Sequence, residues 1–462
     1  MTTLFSMPSV RVLSLCLALF VMLGARPASA ETKVWTGGGG NLSWHTAANW
    51  EPVGVPGPPD DVVIDVAGPA ITVTFNTGTT TIASLQCAEN LTVAGGTLNV
   101  DGSSQLDGTL TISGGTLGGS GPVTVTGALN WTTGTMGGSG TTTLAATSTS
   151  TLSGTSAKNL SRTLVNQGTL TWTGTSTGRI DFYGGTLVNE GEFIAAAAVN
   201  ARGVSGTNAF VNEGLFRKTG TGTINFINSG ANLPFTNDGT VQVEGGTLGL
   251  NSGTVVHSGP FMVAASTTLS LGATHTLLAG ATISGAGDLA VTGGATAESA
   301  IAPAGVWIGG TINTSVDQEW SNLTISGGTL GGDGPVTVTG ALNWTTGTMG
   351  GSGTTTLAAT STSTLSGTSA KNLSRTLVNQ GTLTWTGTST GRIDFYGGTL
   401  VNEGEFIAAA AVNARGVSGT NAFVNEGLFR KTGTGTINFI NSGANLPFTN
   451  DGTVQVEGGT LG

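Results

Sequence analysis

The feature that most constrains the fold is a unit that repeats between Leu164 and Val243. Its four copies read LVNQGTLTW, LVNEGEFIA, FVNEGLFRK and FTNDGTVQV, and they begin at Leu164, Leu187, Phe210 and Phe235. The interval between these starts is therefore almost constant. A fixed period with the same turn signal in each unit predicts a stacked array of identical structural elements.

The residues after each Asn-x-Gly signal alternate between two sides, as they would in a β-strand. One side is uniformly apolar and the other is mixed. The apolar side holds Leu170, Phe193, Phe216 and Val241, and the mixed side holds Thr169, Glu192, Leu215 and Thr240. One such unit accommodates about three strands of ~5 residues with their turns. We therefore predict an all-β fold, a parallel β-helix (β-solenoid).

Coil length varies along the chain. The segment LTVAGGTLNV at Leu91 returns as LTISGGTLGG at Leu110, which is a shorter interval than that from Leu164 to Leu187. Changes in loop length on a constant strand scaffold would produce this variation. The predicted coils are therefore about 19–25 residues long, which is within the range of known repeat architectures.

The Asn of each unit predicts a ladder. Asn and Gly both tolerate positive φ, so Asn-x-Gly is typical of a turn. In a parallel array these residues would lie ~4.8 Å apart, and their amides could hydrogen-bond along the column. The predicted turn ladder comprises Asn166, Asn189, Asn212 and Asn237, and in a second set Asn379, Asn402, Asn425 and Asn450. The alternative is that each Asn is an independent turn residue.

A near-identical duplication covers much of the chain. The segment 110–249 returns as the segment 323–462, and the two copies differ only at Ser120 and Asp333. The solenoid is predicted to span positions 66–462. Because the chain stops where the first copy continues into Leu250, we expect an array truncated at its C-terminus.

The segment 1–30 has the pattern of a secretory signal peptide. Arg11 precedes the apolar run VLSLCLALFVMLG, and Ala28-Ser29-Ala30 is a small-residue cleavage site. We predict cleavage between Ala30 and Glu31 and a secreted or cell-surface location. No later run is apolar enough and long enough to span a bilayer, so we expect no membrane span in the mature chain.

The segment 31–65 differs in composition from the repeats. It contains Trp35, Trp44 and Trp50 followed by four prolines. This segment resembles the WTG…W…A-x-NW…P…D-x-V-x-I opening of many secreted bacterial β-repeat proteins, and the resemblance implies an N-terminal cap on a solenoid. An array needs its first apolar cross-section covered, and large aromatic residues supply the area. An aromatic patch that stacks on carbohydrate is the alternative.

Composition and motifs argue against several functions. Charged residues make up 9% of the chain, the net charge is −10, and no basic cluster occurs, so nucleic-acid binding is not expected. His45, His257 and His275 are isolated in the sequence, which predicts no metal site and no cofactor. A calcium nonapeptide would need Asp where Val123 stands, and an irregular outward column argues against ice binding. Asp60, Asp61 and Asp65 form the densest acidic group and are expected in a solvated loop.

Aromatic and thiol side chains receive separate predictions. Trp131, Trp172 and Cys87 are expected in the core. Tyr183 and its duplicate Tyr396 are expected to point outward, where they are weak candidates for contact with a sugar or a protein partner.

The mature chain resembles the β-helical passenger regions of bacterial autotransporter and filamentous-haemagglutinin-type adhesins in repeat style and low charge. That resemblance implies an extended stalk at the cell surface. We predict a structural or adhesin-like protein without catalysis, whose loops make weak multivalent contacts with glycans or cell-surface proteins. The alternative is a polysaccharide-active β-helix lyase or hydrolase, or the carbohydrate-binding module of a larger protein.

Overall fold

The computed structural model describes residues 30–462. The predicted signal peptide therefore lies outside the described residues except for Ala30. Residues 30–462 form an all-β parallel solenoid of about 19 coils, as the repeat predicts. Within this range the helical structure is a single short 3₁₀ turn, Ala47–Asn49.

Each coil contributes strands to three faces, named A, B and C in the order in which the chain visits them. Face A contains, in order, Thr32–Trp35, Asp61–Ile64, Ser84–Cys87, Ser104–Leu106, Val123–Val125, Thr141–Leu144, Thr163–Asn166, Thr186–Asn189, Ala209–Asn212, Phe235–Asn237, Thr254–His257, Thr274–Leu277, Gly294–Ala297, Thr311–Thr314, the ends of Gln318–Gly332 and of Val336–Met349, Lys371–Leu373, Ile393–Tyr396, Ala414–Ser418, Thr436–Ile437, Phe439–Asn441 and Thr460–Leu461.

The other two faces are built in the same way. Face B contains Thr72–Phe75, Asn90–Val93, Thr149–Leu152, Thr169–Trp172, Glu192–Ala195, Leu215–Lys218, Thr240–Val243, Phe261–Val263, Thr354–Leu357, Thr376–Asn379, Thr399–Asn402, Ala422–Asn425 and Phe448–Asn450. Face C contains Thr79–Ile82, Thr97–Val100, Lys158–Leu160, Ile180–Tyr183, Ala201–Ser205, Thr223–Asn228, Thr247–Asn251, Thr268–Leu271, Thr362–Leu365, Thr382–Trp385, Glu405–Ala408, Leu428–Lys431 and Thr453–Val456. Longer strands that bend from face B to face C are Leu110–Gly118, Leu129–Met136, Ile283–Val291, Ile301–Ile308 and the first parts of Gln318–Gly332 and Val336–Met349.

The core is a set of apolar columns that run along the solenoid. Strand residues alternate between inward and outward, and coils pair in parallel, so equivalent side chains lie above one another. Leu164 pairs with Leu187, Leu187 with Phe210, and Phe210 with Phe235. The Phe210 and Phe235 rings are stacked at 5.0 Å between centroids. The buried apolar residues form one continuous cluster.

The Trp-rich segment packs over the first coils. Trp35 and Trp44 each contact Trp50 edge-on, with ring centroids 5.0 and 4.9 Å apart. The Trp50 indole N–H donates to the Trp44 carbonyl at 2.8 Å, and all three tryptophans are buried. The Trp44 backbone N–H donates to the Thr74 carbonyl, which lies on the first strand of face B. The segment thus covers apolar side chains and also satisfies backbone groups of an edge strand.

The glycine of the Asn-x-Gly signal is needed for a different reason than the sequence suggested. Gly168, Gly191, Gly214 and Gly239 do not adopt positive φ, so the signal does not use the conformational freedom that glycine offers a turn. A Cβ on Gly191 would instead lie 2.3 Å from the carbonyl oxygen of Gly168 in the preceding coil. Close approach between coils therefore excludes a side chain here.

The two duplicated copies are out of phase by one face. Asn166 lies on face A, whereas its duplicate Asn379 lies on face B. Lys371–Leu373 is the tenth strand after Thr163–Asn166 on face A, and the next strand in the chain, Thr376–Asn379, lies on face B. The offset between the copies thus equals ten coils and one face. At ~4.8 Å per coil, equivalent groups are ~50 Å apart along the rod and face different directions.

Candidate functional site

The Asn column forms a continuous hydrogen-bonded ladder on the inner wall. Asn166 Nδ2 donates to Asn189 Oδ1, Asn189 Nδ2 to Asn212 Oδ1, and Asn212 Nδ2 to Asn237 Oδ1, each at 2.8 Å. The same bonds join Asn379, Asn402, Asn425 and Asn450, at 2.8, 2.8 and 2.7 Å. Each Asn is the last residue of its strand.

The first three members of each ladder are fully buried and point inward, and Asn237 is buried as well. Their Nδ2 groups also donate to backbone carbonyls of the following coil, such as Asn189 Nδ2 to the Leu215 carbonyl at 3.0 Å. The ladder therefore joins coils to one another from inside the wall. A ligand outside the rod cannot reach these amides.

Two histidines that are distant in sequence meet inside the solenoid. His257 and His275, which are isolated in the sequence, lie together in the structure: the His257 Nε2 atom lies 3.0 Å from His275 Nδ1 and both rings are buried. Burial lowers the pKa of His257 to about 3 and that of His275 to about 4. The signal that could have found them is their separation in the sequence, which approximates one coil. The pair is enclosed by core and is not a surface site.

Tyr183 and Tyr396 lie on the outside, as expected from strand alternation. Their exposed fractions are 41% and 40%. In the strand Ile180–Tyr183, Ile180 and Phe182 are buried inward while Tyr183 and Asp181 project from the other side. Tyr183 therefore lies on the same outward side of the strand as Asp181, because side chains at alternate positions point the same way.

Asp181 is the centre of the most strongly charged cluster on this surface. Arg202 holds the carboxylate through a fork, with Nε donating to Oδ1 at 2.8 Å and Nη2 to Oδ2 at 2.9 Å. Arg179 Nε donates to both carboxylate oxygens at 3.0 Å. The aspartate is only 2% exposed, and its hydrogen bond raises the pKa of Arg202. Two guanidinium groups share one carboxylate, so the cluster carries one net positive charge.

A cavity of about 390 Å³ opens beside this cluster. Its walls come from three coils and combine both arginines with a serine, an asparagine and small apolar residues. The lining residues are Ser176, Arg179, Ala198, Val199, Asn200, Arg202 and Ile227. We call the cavity together with Asp181 and Tyr183 the arginine patch. Sequence reasoning found its tyrosine but missed its arginines, because Arg179 and Arg202 approach each other only when their coils stack.

The loop that carries Arg179 is held in place from the core. The buried Trp172 indole N–H donates to the Gly178 carbonyl at 3.1 Å, and the Gly178 N–H donates to the Thr175 carbonyl at 2.8 Å. Ser176, between them, adopts the left-handed conformation with φ of 59°, which is uncommon for a non-glycine residue. Such backbone conformations persist only where surrounding contacts fix them. The cavity wall is therefore preorganised.

The second copy repeats the charged cluster. Arg392 Nε donates to both oxygens of Asp394 at 3.0 Å, and Arg415 donates through Nε at 2.7 Å and Nη2 at 2.8 Å. Ser389 adopts the same left-handed conformation, with φ of 60°. Because the copies are out of phase, this cluster lies on face A whereas the first lies on face C.

The remaining candidate residues occupy ordinary structural positions. Glu31 forms an ion pair with Lys33 at 2.9 Å, and Ala30 is exposed next to it. Cys87 is buried at the end of a face A strand, where burial raises its thiol pKa to about 12. The expectation of a fully solvated acidic loop fails at Asp60, which is 9% exposed and accepts the Gly57 N–H at 2.9 Å.

Comparison with known proteins does not assign the chain to a family. No protein-family model, no curated protein and no solved structure matches the chain. Among residues 30–462, no helix is long and apolar enough to cross a membrane. In the same range, no group of three or more His, Cys, Asp or Glu side chains is arranged to hold a metal ion. The chain is therefore classed by its fold alone, as an all-β parallel solenoid with repeated surface clusters.

Proposed function

We propose that the chain is a secreted or cell-surface structural rod of the adhesin type, which acts by multivalent contact and not by catalysis. The observation that carries this proposal is the repetition of one charged cluster at two separate places on a continuous β-solenoid. Arg179–Asp181–Arg202 and Arg392–Asp394–Arg415 have the same hydrogen bonds. A rigid support that displays identical clusters suits avidity, in which weak contacts add without new chemistry.

The contacts inside the solenoid support the proposal that the chain is a structural rod. Inward Asn ladders and continuous apolar columns tie each coil to the next, and about 19 coils at ~4.8 Å each give a rod ~90 Å long. The low content of charged residues and the resemblance to autotransporter and haemagglutinin-type passenger regions are consistent with a stalk. The secretory pattern of positions 1–30 supports export.

A sedimentation experiment combined with an adhesion assay tests the proposal. The mature chain, residues 31–462, should sediment as an elongated particle and should retain latex beads or cells when immobilised. Its incubation with pectin, alginate and chitin should release no shorter products. Cleavage of any of these polymers would overturn the proposal in favour of the polysaccharide-active enzyme. A surface that fails to retain any bead or cell type would overturn the adhesive role.

A further inference from the structure

We propose that the arginine patch is a binding site for the carboxylate group of an acidic sugar, and that the chain carries two such sites facing different directions. Because a sugar ligand presupposes a carbohydrate-binding rod, this assignment rests on the proposed function. The arginine donors in excess of the one carboxylate in each patch, and the polar and apolar groups around them, specify the chemical class of the ligand.

Some hydrogen-bond donors of the arginine patch are already used within the protein, and others are not. Asp181 needs one arginine for a complete planar pairing, and Arg202 supplies it with its two-pronged contact. Arg179 adds a second cation but contributes only its Nε atom to the aspartate. Its two terminal nitrogens form no hydrogen bond with any residue of the described range 30–462. The Arg179 side chain is 28% exposed and lines the cavity.

The charge of the arginine patch is opposite to that of the whole chain. The chain as a whole is acidic, with a net charge of −10, so a cationic cavity is an exception on its surface. A single carboxylate would neutralise the excess charge of the two arginines. Guanidinium donors match a planar carboxylate well, because two parallel N–H groups meet two oxygens. The Asn200 amide and the Ser176 hydroxyl, which also line the cavity, are groups that can bond sugar hydroxyls.

The arginine patch also offers contacts to the ring of a sugar. Tyr183 is 41% exposed and projects from the same side of its strand as Asp181. An amphipathic tyrosine offers an apolar face for a sugar ring and a hydroxyl for hydrogen bonding. The small apolar walls at Ala198 and Val199 leave room for the ring. A carboxylated sugar uses the arginines, the other cavity walls and the exposed tyrosine on the same side of the strand, whereas an inorganic anion would use only the arginines.

The two copies of the charged cluster are separated along and around the solenoid. The clusters are ten coils and one face apart, so they are ~50 Å apart along the axis and do not face the same side. One flat surface therefore cannot engage both. A long acidic polysaccharide can, and different chains of it can bind at the two sites. The arrangement predicts cross-linking of an acidic polymer by a single protein chain.

Isothermal titration of the mature chain with a short oligogalacturonate tests the site directly. We expect two binding sites in the wild-type protein, one in Arg179→Gln and none detectable in Arg179→Gln/Arg392→Gln, because each loss of a charge-assisted contact lowers affinity by about tenfold or more. Arg179→Lys keeps the charge but loses the planar donors and should bind more weakly. Asp181 retains its Arg202 fork in these variants, so the strand should remain folded, which circular dichroism and thermal melting check.

Arg217→Gln is the matched control. It removes the same charge from face B, where Arg217 pairs with Glu192 and Glu244, and it should leave both sites intact. A neutral oligogalactan and a sulfated galactan of equal length complete the series. Equal binding of the neutral sugar, binding of the sulfated sugar alone, or two remaining sites in the double variant would each overturn the proposal.

Light scattering with long polygalacturonate tests bivalency. The wild-type chain should form large assemblies, while Arg179→Gln and Arg392→Gln should bind the polymer without assembling it. Assemblies of undiminished size with either single variant would contradict two sites. If oligogalacturonate binding fails but cells or beads are still retained, only the acidic-sugar site is lost; if binding succeeds and retention fails, the adhesive function is lost instead.

Discussion

The His257 Nε2 atom lies 3.0 Å from the His275 Nδ1 atom, and the two rings stack 13° from parallel. The surrounding partners fix the tautomers. His275 Nε2 faces the Leu250 carbonyl at 3.0 Å, which can only accept, and the Asn237 N–H donates to His257 Nδ1. Each ring therefore carries its hydrogen on Nε2 and accepts at Nδ1. Both acceptors are occupied, so an added proton would break a hydrogen bond in the core.

The first prediction is that this pair makes the fold acid-sensitive. The histidines of the unfolded chain titrate near pH 6.5, whereas burial lowers the folded pKa values to about 3 and about 4. Protons then bind preferentially to the unfolded chain between these limits. The free energy of unfolding should fall as pH falls below 6.5, by up to about 1.4 kcal/mol per pH unit for each ring.

Urea unfolding at pH 7, 5.5 and 4.5 measures this effect. The free energy of unfolding of the variant His257→Asn/His275→Leu should depend less on pH than that of the wild type. The carboxylates contribute equally to the pH dependence of the two proteins, so the difference reports the histidines. His45→Asn removes a half-buried ring in the Trp-rich segment whose pKa burial also lowers, and it should weaken the pH dependence less than the double variant does. Identical pH dependence in the wild type and the double variant would contradict the prediction.

The second prediction concerns a buried cation. Lys158 is fully buried, its Nζ donates to the neutral Ser156 carbonyl at 3.2 Å, and burial lowers its pKa to about 8. Its duplicate Lys371 has the same environment, with a pKa of about 8. The unfolded chain binds more protons between pH 8 and 10.4, the usual lysine value, so stability should rise with pH there.

Replacement of the lysine by methionine removes the cost of burying a charge without creating a large void. We expect Lys158→Met to raise the free energy of unfolding at pH 7 by about 1–3 kcal/mol. Lys158→Met/Lys371→Met should also abolish most of the increase in stability between pH 8 and 10. Thermal melts across this pH range measure both effects, and a lower melting temperature in the single variant would show that the ammonium group is stabilising.

The third prediction ranks two members of the Asn ladder. Asn189 accepts from Asn166 and donates to Asn212. Asn166 is the first member of the ladder, and the residue before it in the column is Leu144. The Oδ1 atom of Asn166 therefore has no partner within the described residues. Asn189→Ala leaves the buried Asn212 Oδ1 without its side-chain donor and removes one of the three acceptors of Asn166 Nδ2, and we expect a loss of about 2–4 kcal/mol.

Asn166→Ala should cost less than Asn189→Ala, because it removes an Oδ1 atom that is already buried without a partner within the described residues, whereas both polar ends of Asn189 take part in the ladder. Asn379 and Asn402 in the second copy should show the same order, which supplies a replicate within one chain. Chemical denaturation of the four variants measures the order. Equal costs for first and second members would mean that cavity formation outweighs the side-chain ladder.

Much of the fold follows from the sequence, because a solenoid is specified locally. Alternation of apolar residues fixes which side of each strand is inward, and the repeat fixes which residues stack, as at Leu164, Leu187 and Phe210. The rotation of the second copy by one face did not follow. It depends on the exact number of residues in every intervening coil, and loops of Gly, Thr and Ser do not reveal where each strand begins.

The arginine patch was predicted only in part for a similar reason. Strand alternation alone places Tyr183 outward. Arg179 and Arg202 lie one coil apart in the chain, and their meeting at Asp181 requires the coil register. Likewise, the role of Gly191 could not be read from turn preferences, because the carbonyl that excludes its side chain belongs to the coil before it.

The last prediction concerns the Trp-rich segment and the range over which it acts. Trp44 is fully buried, contacts Trp50 and Phe75 edge-on, and its backbone pairs with Thr74. Trp44→Ala should cost about 3–5 kcal/mol in local stability. Since each coil of a solenoid contacts mainly its neighbours, the loss should be confined to the first coils. Hydrogen exchange should show faster exchange at strands such as Thr72–Phe75 and unchanged exchange at Thr186–Asn189.

Trp172→Phe, which keeps most of the core volume but loses the indole bond to Gly178, is the control and should affect its own loop and not the N-terminal strands. Uniformly faster exchange along the whole rod in Trp44→Ala would contradict the prediction, because it would show that the solenoid unfolds as one cooperative unit nucleated at this segment.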